Sequence, residues 1–419
     1  MSPMRRAAGK ARTPEGAGGD GLARWARGRA SWPLLAAALL VYLLSAGRML
    51  GVRRTGMDNA VVVRAARHLL DGGSPYADKR FLYLPGAVFA ALPQAPFSDR
   101  TLTRAVPFVT AAFVLAGVVL ALRIFDVRAD SRLAAAVTAG LALFLPFQGI
   151  VHLGNWTAAS VVAFPAALLL ALRGRWSAAG AVVGAAIALK PMLVPLLLLF
   201  VLARRWRALA WAVALPSVIS SAAALAMPRP QLFLTKTLPF LLHGQDDYAA
   251  PYDASWTAVL PRLGVPHHLA FALGACAAVA ALCFARARWR AGGDEALRLV
   301  ECGSLLMLAA FLVSRPSFLH YALVILPALV ASVVVRGAAA RQVWFWMPLV
   351  PQIAGVPWPE LGGSRRHAFK DIVMFTGAAA VLALAVWRRR ATTARTVTVS
   401  GAPYSLGSDP EPRSPSETR

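Results

Sequence analysis

The feature that most limits what this chain can fold into is a series of apolar runs, each long enough to cross a bilayer. A crossing takes roughly 20 predominantly apolar residues. Such runs occur at Trp32 to Leu50 and near 102–123, 132–151, 155–172, 208–228, 268–285, 297–314, 319–335, 342–357 and 370–387. Hydrophobic residues make up 58% of the 419 and charged residues 15%, more apolar surface than a soluble domain can hide. Backbone groups in lipid must be satisfied within their own segment, so the spans are helices. The expectation is an all-α polytopic membrane protein of about 10 spans. The first run has no small-residue cleavage site after it and reads as a retained span, not a signal peptide.

Charge sets the topology. A formal net charge of +25 raises the question of nucleic acid. The arginines, however, lie mainly between spans, which fits the positive-inside rule and anionic lipid headgroups better. Residues 1–30 are basic and rich in Gly and Ala and read as a disordered cytoplasmic tail. Residues 31–390 form the membrane domain, and 391–419 are a second disordered cytoplasmic tail. The segment 178–203 is either one kinked span or a hairpin that turns at Lys190-Pro191. A single crossing would put Arg286–Arg290 and Arg388–Arg390 opposite the N-terminus. A re-entrant hairpin makes these clusters cytoplasmic, together with Arg173/Arg175, Arg204/Arg205/Arg207 and Arg336/Arg341, and so satisfies the rule. It also puts Asp58, the turn His152–Trp156, Lys190, the 229–267 loop and His320 on the outer side. The loop 48–104 is then external yet basic, which points to a local anionic target such as a lipid phosphate.

Within that loop, Val61, Val62, Ala65, Ala66, Leu69 and Leu70 fall on one helical face, with Arg64, Arg67, His68 and Asp71 on the other. The spacing predicts an external amphipathic helix after the first span. Asp58 begins it, and two roles stand open: helix N-cap or catalytic base. The proline-broken stretch 81–97 reads as re-entrant or interfacial. Lys190 lies in an apolar sequence, where an ammonium costs about 2.5–3.5 kcal/mol and calls for a partner or a task; snorkelling is the alternative. His320, close after Arg315, is either polar core or a phosphate ligand. His267-His268 reads as interfacial, and Cys276, Cys283 and Cys302 as packing. Asp246, Asp247 and Asp253 form no Asp-x-Asp pair. No metal or cofactor is expected.

Several runs, taken in order, resemble a known family. Asp58 is followed by Leu70-Asp71-Gly72-Gly73-Ser74-Pro75-Tyr76 and then Phe81-Leu82-Tyr83-Leu84-Pro85. Further on come Gly154-Asn155-Trp156-Thr157, a Leu189-Lys190-Pro191 hairpin ending in Arg204-Arg205-Trp206-Arg207, and Ser314-Arg315-Pro316-Ser317-Phe318-Leu319-His320. Together these resemble glycosyltransferase family 87 of the GT-C superfamily, polyprenyl-phosphate-mannose-dependent mannosyltransferases of actinobacteria. Two runs depart from that family's pattern, at Asn155–Thr157 and at Arg315–Tyr321, and these bear on sugar and acceptor identity. The resemblance implies a GT-C bundle in the plasma membrane with its site on the outer face. It implies inverting, metal-independent transfer from a polyprenyl-phosphate sugar donor to a glycolipid or polysaccharide acceptor. Asp58 would be the base, Lys190, His320 and Arg315 would hold the donor phosphate, and Tyr76, Tyr83, Asn155 and Trp156 would line the groove. For the two tyrosines, turn packing is an equal alternative.

Three other functions fit the same residues. One keeps the enzyme but uses polyprenyl-phosphate arabinofuranose. A transporter or flippase should show broken helices in matching positions of two halves, and only one such break is legible here. An inactive glycan-binding relative would not need Asp58 as a base.

Overall fold

The computed structural model describes residues 20–244, 252–357 and 364–400. Asp246 and Asp247 lie outside them. In chain order the helices are α1 (Gly21–Arg27), α2 (Trp32–Arg48), α3 (Met57–Leu70), α4 (Pro85–Ala91), α5 (Asp99–Ile124), α6 (Arg132–Ala142), α7 (Leu145–Leu153), α8 (Thr157–Leu172), α9 (Trp176–Leu189) and α10 (Leu197–Leu202). They continue with α11 (Trp206–Leu225), α12 (Trp256–Arg262), α13 (His267–Arg290), α14 (Glu295–Val313), α15 (Leu326–Ala331), α16 (Val343–Trp346) and α17 (Ser364–Ser400). The protein is an all-α polytopic membrane protein. Among the described residues, six helical segments are long and apolar enough to cross a membrane: Trp32–Gly51, Asp99–Ile124, Trp206–Leu225, His267–Arg290, Glu295–Val313 and Phe369–Arg389.

Shorter helices make up the other apolar runs. The run 132–151 divides at Leu143-Phe144 into α6 and α7, with Pro146 in the first turn of α7, where its missing N–H costs nothing. The runs 319–335 and 342–357, expected as whole spans, are chains of short helical pieces. Pro327, Pro348 and Pro351 interrupt them by removing backbone donors. Periodicity alone does not reveal these breaks, because the apolar count is unchanged across them.

The segment 178–203 is a hairpin. Its two ends meet, for Trp176 at the start of α9 packs edge-on against Phe200 at 6.5 Å, and the Arg205 guanidinium sits 5.1 Å from the Trp176 ring centroid. Lys190 is at the tip with extended backbone (φ −152°, ψ 126°), the geometry that a following proline imposes. Beyond the hairpin, α11 runs parallel to α9. Gly180 and Gly184, four residues apart, let the backbones approach as small residues do between membrane helices. A Cβ on Gly180 would lie 2.1 Å from the Ala208 carbonyl oxygen. Gly180→Val is therefore expected to lower the unfolding midpoint in detergent by an amount corresponding to about 1–3 kcal/mol or more of overpacking. Gly140→Ala is the control, since nothing lies within 4 Å of a Cβ there. Equal midpoints for the two variants would contradict the close contact.

The structure sorts the chain into two ends. At one end, Asp20 pairs with Arg336 and Arg341, and the Ala30 N–H donates to the Asp130 carbonyl at 2.9 Å. Residues 20–30, expected within a disordered tail, are thus ordered. Asp20 caps α1 by accepting from the Ala23 N–H, and Ala23 and Ala26 are buried. Residues 391–400 likewise continue α17, whereas 1–19 and 401–419 lie outside the described residues. At the other end, the Gly56 N–H donates to the His152 carbonyl at 2.8 Å, which joins the long polar loop to the end of α7.

The amphipathic helix α3 buries Val62, Ala65 and Ala66 against α4 and the Tyr76 turn rather than only lying on a surface. Arg67, one of the loop's basic residues, is committed to the fold. It donates to the Ala95 and Phe97 carbonyls and pairs with Asp99 at 2.7 Å. The stretch 81–97 forms α4 and a tight turn beside the hairpin tip, where a Cβ on Gly86 would meet the Ala188 carbonyl at 3.0 Å.

Candidate active site

Two close-packed turns build the site. Gly154 ends α7 in the left-handed region (φ 62°), and a Cβ there would meet Val106 Cγ1 at 2.3 Å and the Gly56 Cα at 3.3 Å. Only glycine fits both the backbone angle and the space. This contact brings the start of α3 against the Asn155–Thr157 turn.

Asp58 is the second residue of α3, and Gly56 takes the N-cap position. The Asp58 carboxylate does not cap the helix. It accepts instead from Asn155, whose Nδ2 lies 2.5 Å from Oδ2. The other end of the same carboxamide, Asn155 Oδ1, accepts from Lys190 Nζ at 2.8 Å and from the Thr157 N–H at 2.8 Å. Lys190 also donates to Thr157 Oγ1 at 2.8 Å. One buried carboxamide therefore fixes an acid and an ammonium on its two sides. Burial raises the Asp58 carboxyl above its ordinary range, and the charge of Lys190, the Asn155 hydrogen bond and the nearby His152 pull partly the other way.

Aromatic rings enclose the lysine. Its Nζ lies 5.8 Å from the Tyr83 ring centroid and 5.2 Å from that of Tyr321, distances at which the ring faces attract a cation. Tyr321 packs edge-on against buried His320, and Phe318 stacks with the imidazole while meeting Tyr321 edge-on at 5.6 Å. His320 Nε2 is buried and makes no hydrogen bond among the described residues. Trp156 donates from Nε1 to Asn59 Oδ1 at 2.9 Å and meets Tyr83 edge-on at 6.2 Å. Asn59 in turn donates to Gln94.

Asp58, Asn155, Trp156, Lys190, Tyr83 and His320 thus come together. Tyr76 does not line the groove. It is fully buried, contacts Phe81 and Phe233, and donates to the Tyr83 carbonyl at 3.1 Å, so it shapes the turn that carries Tyr83. Arg315 pairs with buried Asp253 at 3.5 Å, and Asp253 also accepts from the Ser255 and Ser317 N–H groups. That pairing compensates the Arg315 charge and pins the segment leading to His320. Thr157, Tyr321 and His152, which hydrogen-bonds Thr55 at 3.3 Å, also join the site; each falls in a run that the sequence singles out, but as ordinary polar residues their own part comes only from long-range packing. Among the described residues no group of three His, Cys, Asp or Glu side chains is placed to hold a metal ion.

A family model for glycosyltransferase family 87 matches residues 81–316, more than half of the chain. An alpha-(1->3)-arabinofuranosyltransferase of Mycobacterium tuberculosis is 33% identical over 181 residues, which cover 41% of this chain and 40% of that protein. A protein of the same name from Mycolicibacterium smegmatis is 31% identical over 184 residues, with the same shares covered. The match thus spans about two-fifths of the length of these relatives. No solved structure matches.

Proposed function

Because this chain belongs to glycosyltransferase family 87, we propose that it moves a sugar from a polyprenyl-phosphate carrier to a glycan hydroxyl at the membrane. The sugar is arabinofuranose. The motif resemblance put mannose first, but the names of the similar mycobacterial proteins favour the pentose.

One observation carries this reading: the Asn155 carboxamide holds the Asp58 carboxylate and the Lys190 ammonium on its two sides. Displacement at an anomeric carbon needs a proton acceptor on the side of attack and positive charge on the side of departure. Asp58 takes the proton of the acceptor hydroxyl as its oxygen bonds to the anomeric carbon. The bond from that carbon to the phosphate oxygen breaks, and its electron pair goes to the phosphate. A phosphodiester becomes a monoester, with added negative charge that Lys190 and His320 meet. Attack opposite the leaving phosphate inverts the anomeric centre. Tyr83 and Trp156 supply aromatic walls for the sugar. Arg315, paired with Asp253, acts by holding the His320 segment in place.

The outer membrane face suits this site, which lies at the end opposite Asp20, Arg336 and Arg341. The test uses purified protein in nanodiscs with a chelator present. Polyprenyl-phosphate arabinofuranose and polyprenyl-phosphate mannose are supplied separately, with total membrane glycolipid as acceptor. Transfer from the arabinose donor, faster than from the mannose donor by an order of magnitude or more, is the expected result. The opposite preference would restore mannose. Binding of both donors without transfer would make the protein a glycan-lipid binder.

A further inference from the structure

At the end of the bundle opposite Asp58 the chain makes the same turn twice. Leu172-Arg173-Gly174-Arg175-Trp176 joins α8 to α9, and Leu202-Ala203-Arg204-Arg205-Trp206 joins α10 to α11. In each, one residue is left-handed (Gly174, φ 75°; Arg204, φ 54°). In each, the next N–H reaches back five residues, Arg175 to the Leu170 carbonyl and Arg205 to the Phe200 carbonyl, both at 2.8 Å. Because α9 and α11 run parallel in glycine-mediated contact, the two turns lie side by side. Between them opens a cleft of about 660 Å³, lined by residues 174–178 and 204–208.

The cleft is strongly basic. Arg175, Arg204, Arg205 and Arg207 line it, all are exposed, and none has a carboxylate partner among the described residues. Arg204 occupies a left-handed position that glycine fills without cost in the companion turn, so here the charge is kept against backbone preference. Arg205 is held over the Trp176 ring. Four uncompensated guanidiniums around one concavity repel each other and select an anion.

The surroundings point to a lipid rather than a soluble anion. Trp206 is exposed at the rim, Val213 continues that side of α11 away from the cleft, and Trp211 and Val218 form a second exposed apolar stripe on the same helix. A phospholipid satisfies both features at once, with its phosphate among the arginines and its acyl chains along α11; tryptophan at this level is typical of a membrane interface. We propose that this double-turn cleft binds the headgroup of an anionic phospholipid and braces the mouth of the hairpin whose tip carries Lys190.

Thermal unfolding of the full chain in detergent tests this, with phosphatidylglycerol, phosphatidylcholine or inorganic phosphate added. Phosphatidylglycerol is expected to raise the Tm of the wild type above the phosphatidylcholine value, and inorganic phosphate is not. The variant Arg175→Gln/Arg204→Gln/Arg205→Gln/Arg207→Gln should lose most of that rise, whereas Arg286→Gln/Arg290→Gln, exposed arginines elsewhere, should keep it. If the fourfold variant does not fold, Arg175→Gln/Arg207→Gln leaves the Trp176 stack intact and carries the same comparison. An undiminished rise in the cleft variant, or an equal loss in the Arg286/Arg290 control, would overturn the proposal. An equal rise with inorganic phosphate would overturn the lipid assignment.

Discussion

Asp58→Asn is expected to cut sugar transfer by about 10²–10⁴-fold, the range that a positioned general base contributes, while leaving the protein folded. The substitution is a clean one because the Asn155 Nδ2 that now donates to the Asp58 carboxylate can donate equally to a carboxamide oxygen. Geometry is retained and only the proton acceptor is lost. A variant transferring at the wild-type rate would sink the assignment of Asp58 as base.

The acid limb of the pH profile provides a second readout. Burial raises the Asp58 carboxyl above the ordinary carboxylate range. A base works only when ionised, so the wild-type rate should fall as pH drops through that raised value, and the residual rate of the Asn variant should lack this limb. The stability linkage has the opposite sign from that of a salt-bridged acid. A raised pKa in the folded state means that the folded protein holds the proton more tightly than the unfolded chain. The contribution of Asp58 to stability is therefore present at low pH and is lost as pH rises through the raised pKa. At neutral pH the Asn variant should unfold at the same temperature as the wild type or a higher one. Loss of rate without loss of stability separates a functional carboxylate from a structural one.

Sequence and structure agree where a residue is anomalous in its own surroundings. Lys190 in an apolar run and Asp58 after the first span violate local expectation, so each was legible alone. Asn155 stood out through the motif it belongs to. The hairpin was legible because arginines flank it on both sides and charge bias then fixes which ends share a surface. Thr157 and Tyr321 lie in runs that the sequence marks, but their roles are not legible there. A threonine opening a helix and a tyrosine among apolar residues are ordinary, and only the folding of α8 and the 319–324 turn around Lys190 gives them a role. Tyr76 was ambiguous for a related reason, since an aromatic after a Gly-Gly-Ser-Pro turn fits a groove wall or a packed turn equally well; its buried hydroxyl on the Tyr83 carbonyl decides for packing. Cap and base could not be separated at Asp58 either, because the choice turns on Gly56 adopting the left-handed cap conformation.

The second large effect lies away from the chemistry. Glu301 in α14 is almost completely buried. It binds Arg288 of α13 and Arg389 of α17, each at 2.5 Å, and Arg288 also donates to the Gly292 carbonyl at 2.7 Å. Removing one partner of a buried ion pair typically costs about 3–5 kcal/mol, because the remaining charge is left desolvated and uncompensated. Glu301→Ala should reach that range, for it leaves two guanidiniums facing each other with Arg288 shielded from water. Arg389→Met should cost less, since Arg389 is 28% exposed and Arg288 still neutralises the acid. Replacing all three by apolar residues of similar size should recover much of the loss, as the desolvation cost disappears with the charges. Thermal unfolding of the three variants in one detergent ranks them, and a Glu301→Ala midpoint equal to wild type would show that the triad does not hold these helices. The same helix α14 leads directly into Ser314–Ser317 and the His320 segment. Glu301→Ala should therefore also lower the transfer rate at temperatures where the protein is still folded, and the triple apolar variant should restore rate and stability together.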